Sequence, residues 1–214
     1  ELGRALARAD RAVDARHDRL EARGRDVAVD ADAPKSLAVD LQTLCFDHGN
    51  ELPYPLFLPT YAATAWYHKA LAPDLQKKPL RDVIAAAEAF ANNDYSAALM
   101  QGSRLPAARR EHIARQVARY SGLSAEFVLR CDLRPNEWRF FKELLRDRGR
   151  TVGRLDSRFL GLDRDDAGEK PDDDPAMTNL VGAYAAGINR LLKERLKFDS
   201  DAPYVVHAPI WDKW

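Results

Sequence analysis

Residues 80–99, LRDVIAAAEAFANNDYSAAL, decide the fold class. Leu80, Val83, Ile84, Ala87, Phe90, Ala91, Tyr95, Ala98 and Leu99 recur at intervals of three and four, the spacing of one face of an α-helix. Pro79 stands where a helix opens, and Gly102 follows as a left-handed stop. A stripe this long needs an apolar partner, and the rest of the body supplies several.

The same pattern recurs outward in both directions. Toward the N-terminus, residues 46–59 hold Asp47, Gly49, Asn50, Pro53, Pro55 and Pro59, which predicts an irregular, proline-stiffened loop. Pro59 is then expected at the first position of a helix reaching Leu71 and stopped by Pro73, with Tyr61, Ala62, Ala65, Trp66 and Leu71 apolar. Toward the C-terminus, Pro106 opens a helix with Ile113, Val117 and Tyr120 on one face and Gly122 after it. Ser124 can cap a short helix containing Phe127 and Val128. Pro135 precedes another, with Trp138, Phe141, Leu144 and Leu145, closed by Gly149. Thr151 to Gly161 lacks helical spacing and reads as strand or loop. Residues 163–175, DRDDAGEKPDDDP, form an acidic, solvated loop. Pro175 leads into a long helix with Met177, Leu180, Val181, Tyr184, Ile188, Leu191 and Leu192 inward, and Lys193, Arg195 and Lys197 near its end suit the helix dipole. Ser36–Asp40 and Tyr204–Val206 are short strand candidates. The body is therefore mainly α, a helical domain whose stripes pack on one another.

Residues 1–34 differ: ELGRALARADRAVDARHDRLEARGRDVAVDADAP has no aromatic residue and is mostly Ala, Arg and Asp. Its thin apolar set, Leu2, Leu6, Val13 and Leu20, leaves a helix little to bury. Two readings stand level: an exposed arm or detached helix, and a stretch of GC-rich DNA translated out of frame. The chain is accordingly divided into a poorly packed or unrelated segment, 1–35, and a helical body, 36–214. The first is expected to make few contacts with the second. Glu1 is not an initiator residue, so this start is a cut, a processing site or a partial frame.

Composition narrows the function. The 214 residues are 46% hydrophobic and 9% aromatic, enough for a packed core. Lys+Arg and Asp+Glu both number 33, which argues against a general nucleic-acid or anionic-membrane binder. No apolar run approaches the roughly 20 residues of a bilayer span, and no signal peptide opens the chain as given. Cys45 and Cys131 have no metal or redox spacing; one disulfide is compatible with them, buried free thiols more simply so.

No G-x-S-x-G, P-loop, G-x-G-x-x-G, H-E-x-x-H or C-x-x-C occurs, and the five histidines are scattered. The acidic loop matches a calcium-loop template at Asp163, Asp165, Gly168 and Asp174. It fails at Ala167 and Lys170, and Asp174 replaces the usual Glu, so no metal is expected. Ser103, Ser121, Ser157 and Ser200 lack the strand-turn-helix setting of a nucleophile. Tyr61, Trp66 and Tyr67 read first as core. Arg158, between Leu155 and Phe159 in a strand-like run, reads as an edge residue with its guanidinium in water, since Asp156 is too near along a strand to be its obvious partner.

PLFLPTYAATAWYHKAL (55–71), VGRLDSRFLG (152–161) and the terminal WDKW (211–214) together resemble bacterial members of the serine carboxypeptidase-like peptidase family, over roughly residues 36–214. The resemblance implies the helical cap of an α/β hydrolase with a few short strands. The family's serine, in a G-E-S-Y-G turn, would precede the matched stretch, and its aspartate and histidine would follow it. On this reading the chain is a partial serine-type carboxypeptidase without catalytic residues or cofactor, expected to be inactive alone. Tyr61, Trp66 and Arg158 become candidates to line the peptide pocket of the complete parent. The family also suggests export to the periplasm or exterior, through a segment outside this chain. A cap cut from its sheet would expose apolar surface around Phe57, Tyr61, Trp66, Phe159, Trp211 and Trp214 and self-associate. The rival reading is a free-standing helical interaction domain without catalysis.

Overall fold

A computed structural model describes residues 41–198 and 200. The chain divides between Asp40 and Leu41. The readings for residues 1–40, for Tyr204–Val206 and for Trp211 and Trp214 lie outside the described residues.

The body is mainly helical, with one two-stranded sheet among the described residues. Helix α1 (Pro53–Tyr67) is central and packs against α3 (Leu80–Phe90) and α5 (Ala107–Ser121). A short α2 (Pro73–Gln76) lies between α1 and α3. A π turn, Ala91–Tyr95, joins α3 to α4 (Ser96–Leu99). After α5 come α6 (Ala125–Arg130), α7 (Glu137–Glu143), the antiparallel pair β1 (Thr151–Val152) and β2 (Leu160–Gly161), and α8 (Pro175–Arg190). Thr151 pairs with Gly161 and Val152 with Leu160.

Helix α1 starts six residues earlier than proline placement predicts and ends four residues earlier. Pro53 and Pro55 occupy the first turn, where no intrahelical N–H is needed. Pro59 lies inside the helix and leaves the Pro55 carbonyl without its intrahelical donor, a cost of about 3 kcal/mol. Continuing through it brings Pro53, Pro55 and Leu58 into the buried set with Tyr61, Ala62 and Ala65. The preceding loop is organised by Asn50, whose side-chain amide donates to the Gln42 and Cys45 carbonyls at 2.7 Å each. At the other end Lys69 takes a left-handed conformation, and Ala70 N–H donates to Ala65 O at 2.8 Å, closing the helix before Leu71.

The stripe of residues 80–99 is present but not in one uniform helix. The π turn lets Phe90 and Tyr95, five residues apart, both face the core, with parallel rings 5.9 Å apart. Ser96 Oγ donates to the Ala91 carbonyl at 2.7 Å across this turn. Tyr95 Oη donates to Leu133 O at 2.5 Å, and burial raises the phenol's pKa far above its ordinary value.

Capping follows the sequence closely further on. Ser124 Oγ accepts from Phe127 N–H and Asn136 Oδ1 from Arg139 N–H, each at 3.0 Å. The core these helices enclose centres on Tyr61, whose ring stacks on Phe140 at 3.9 Å. Helix α8 departs from expectation. It buries Pro175 and Ala176 at its start, while Leu180, Tyr184 and Leu191 are exposed and Met177, Val181, Ile188 and Leu192 half-buried. Its stripe is real, but no described element covers it.

Gly122 ends α5 at φ +75°, and a Cβ there would meet Leu144 Cδ1 at 3.0 Å, Ala65 Cβ at 3.1 Å and Ala70 O at 3.1 Å. Left-handed strain and crowding add at this position. Gly122→Ala is therefore expected to destabilise the fold by about 2–4 kcal/mol, read as a lowered urea midpoint with an unchanged slope.

Candidate functional site

The three sequence-derived site residues do not converge. Tyr61 is 2% exposed and belongs to the core, where burial raises its pKa well above the ordinary value and the charge of Glu137 adds to the effect. Its hydroxyl has no hydrogen-bond partner among the described residues. The ring is packed in the core, as its first reading holds. Trp66 is half-buried at the edge of the core, its Nε1–H donating to Lys78 O at 3.0 Å. Arg158 is exposed, as the edge reading holds, but Asp156 is its partner after all: Nε lies 2.9 Å from Oδ1 and Nη2 2.6 Å from Oδ2. Residues between β1 and β2 turn rather than extend, so side chains two apart meet. The Arg158 guanidinium holds the Asp156 carboxyl down at about 2.

Phe57 and Trp66 pack against the core, and Phe159 is half-buried. Ser157, on the turn between the strands, meets α1: Thr64 Oγ1 donates to Ser157 Oγ at 3.0 Å, and His68 Nε2 lies 2.6 Å from the Ser157 carbonyl. The imidazole thus engages the carbonyl, not the hydroxyl, and this is no nucleophile–base pair.

The acidic segment is exposed over residues 164–170 and at Asp172 and Asp173, as a solvated loop is, and it is also tied to the body. Lys142, 3% exposed on α7, donates to Asp163, 6% exposed, at 2.5 Å and to the Asp165 carbonyl at 2.8 Å. Asp163 Oδ1 accepts from Asp172 N–H and Asp172 Oδ2 from Arg164 N–H, closing the loop on itself. Arg146 donates to the Gly168 carbonyl, and Arg139 to Glu169. Asp174 caps α8 at Ala176 N–H and also accepts from the N–H groups of Arg154 and Leu155. Gly153 makes this junction possible, since a Cβ there would sit 2.5 Å from Asp156 O and 3.1 Å from Ala176 Cβ. Among the described residues no group of three or more His, Cys, Asp or Glu side chains could hold a metal ion. Cys45 and Cys131 are free; Cys131 is buried, Cys45 only half-buried, and burial raises the Cys131 thiol's pKa.

Between this clasp and α8 lies an open groove of about 1080 Å³. Trp138, Arg154, Met177 and Val181 line one part of it, and Lys170 with the Asp172–Asp174 run lines the other. The Arg154 guanidinium stands 5.5 Å above the Trp138 ring. Glu137, next in the chain to Trp138, has a buried Oε2 without a hydrogen-bond partner among the described residues, and burial raises its pKa. The lining sets an apolar and aromatic wall beside an acidic rim. No sequence signal singled out Trp138 and Arg154 as a pair; they meet because the β1 turn folds back over α7.

Among the described residues no helix is long and apolar enough to cross a membrane. Comparison of the chain with protein-family models, with curated proteins and with solved structures finds no match to any of them.

Removing the Lys142 ammonium strands a buried carboxylate. Lys142→Ala is expected to cost about 3–5 kcal/mol, whereas Lys142→Met with Asp163→Leu recovers most of that loss. Chemical denaturation of the three proteins checks this; equal losses in single and double variants would refute it. Glu137 gives a pH-dependent counterpart. Its folded pKa is raised, so the protonated form favours folding and that contribution is lost as pH rises through the folded value. Glu137→Gln should therefore raise the denaturation midpoint at pH 7 and leave it nearly unchanged at low pH, where the native carboxyl is already protonated.

Proposed function

We propose that this chain is the cap region of a serine-type carboxypeptidase. It would shape and shield a peptide pocket whose catalytic serine, histidine and aspartate lie on another part of the parent enzyme. The supporting observation is α8: its apolar stripe is exposed at Leu180, Tyr184 and Leu191 and only half-buried at Met177, Val181, Ile188 and Leu192, with no described helix packed over it. A cap resting on a catalytic sheet needs such a face. The motifs at 55–71, 152–161 and 211–214 supply the family, and the aromatic groove beside Trp138 is suited to an extended peptide. A peptide is thus the partner, nucleic acid is not, and acyl-transfer chemistry belongs to the parent.

The closed helical core favours a second reading, an interaction domain that stands alone. Tyr61, expected at an open boundary, is instead sealed within that core.

Two measurements separate them. The chain alone should neither hydrolyse a blocked dipeptide nor take up a serine-directed fluorophosphonate; stoichiometric labelling at one serine would overturn the cap reading. The flanking DNA should encode G-E-S-Y-G upstream, in any frame, and an Asp/His region downstream. Flanks without either segment would favour the interaction domain.

A further inference from the structure

We infer that a second copy of this chain covers α8, through an antiparallel, two-fold pairing of the helix with itself. The inference uses the same uncovered face as the cap reading but does not rest on that reading. From Pro175 to Arg195 the helix and its terminal π turn run about 30 Å. Tyr184, at the middle of that length, is 62% exposed and is the largest open side chain on the helix. Leu180 and Leu191, also exposed, flank it, and Val181 and Ile188 border it half-buried.

Charge sets the direction. At the N-terminal end Asp172 and Asp173 are exposed, while at the C-terminal end Lys193, Arg195 and Lys197 are exposed. A parallel pair would set acid beside acid and base beside base. An antiparallel pair sets each acidic end against the partner's basic end and opposes the two helix dipoles favourably. With the two-fold axis at Tyr184, Leu180 of one copy faces Ile188 of the other, Met177 faces Leu191, and Asp173 faces Arg195. Gly187, within 60° of Tyr184 around the helix, adds no bulk to that face. Such a contact is isologous and closes at two copies. One helix pair buries less than the roughly 800 Å² per partner of a standard interface, so the dimer is weak and concentration-dependent.

Sedimentation equilibrium of the full chain at low salt tests this, with circular dichroism to establish that each variant is folded. The wild-type chain should be a monomer–dimer system, and Tyr184→Glu a monomer. Asp173→Lys and Lys193→Glu/Arg195→Glu should each weaken self-association about tenfold, and an equimolar mixture of the two should restore dimers, because the mixed pair again matches positive to negative ends. Tyr184→Cys should form a disulfide-linked dimer under mild oxidation that the wild-type chain does not form. A strictly monomeric wild type, association indifferent to Tyr184→Glu, or a mixture no tighter than its separate components would each overturn the proposal.

Discussion

Lys142 carries an ammonium group into the interior of this protein, and the arrangement of everything after β1 follows from how that charge is met. Asp163 answers it with a carboxylate and Asp165 with a carbonyl, so a run of acidic residues that would repel itself in water is drawn onto α7. Asp172 and Asp174 of the same run then turn their carboxylates to backbone N–H groups, Asp172 to Arg164 and Asp174 to Arg154, Leu155 and Ala176. These bonds set where β1 ends, how the turn to β2 is made and where α8 begins. A buried ion pair of this kind gains little over a well-packed apolar pair, but a half-broken one is severely penalised. It therefore acts as a constraint on arrangement: the segment can dock in one way and not in others.

The helical core beneath obeys a different constraint, the packing of aromatic rings. Tyr61 stacks on Phe140, Phe90 on Tyr95, and Phe46 makes edge contacts with Tyr54 and Phe57. Two departures from ideal helix serve these contacts. Pro59 is accepted inside α1, and a π turn is accepted after Phe90, because each keeps a large side chain in the core. The core draws mainly on α1–α7, and α8 is buried at its start but, among the described residues, open at Leu180 and Tyr184. That asymmetry links the two functional arguments. The proposed cap would offer this face to a catalytic domain, and the proposed dimer would offer it to a second copy.

The extent to which the sequence could be read follows from the range of the interactions involved. Helix α5 with Gly122, the cap at Ser124 and the start of α8 at Pro175 depend on neighbours within four or five residues, so spacing and capping chemistry reveal them. The mainly α class follows from the same periodicity. The ends of α1 were misplaced because proline rules describe local cost and omit the burial that repays it. The candidate site was harder still. Arg158 and Asp156 meet only because the segment turns, Trp138 and Arg154 only because β1 folds over α7, and Lys142 and Asp163 across 20 intervening residues. Tyr61 reads first as core, and the structure places it there; a pocket role came only with the family resemblance, since both settings favour an aromatic on a helix face.

The sequence by itself determined that this chain builds amphipathic helices, where most of them begin, and that charge is balanced overall, because these are properties of residues and their near neighbours. It also determined that α8 would carry an apolar stripe. Only the tertiary structure decided whether that stripe is buried. Burial depends on which surfaces remain once the other helices have closed their core, and that is set by the packing of distant residues against one another. The acidic run illustrates the same division: its charge is written in the sequence, but whether it is solvated or clasped depends on a lysine that α7 brings to it through the fold.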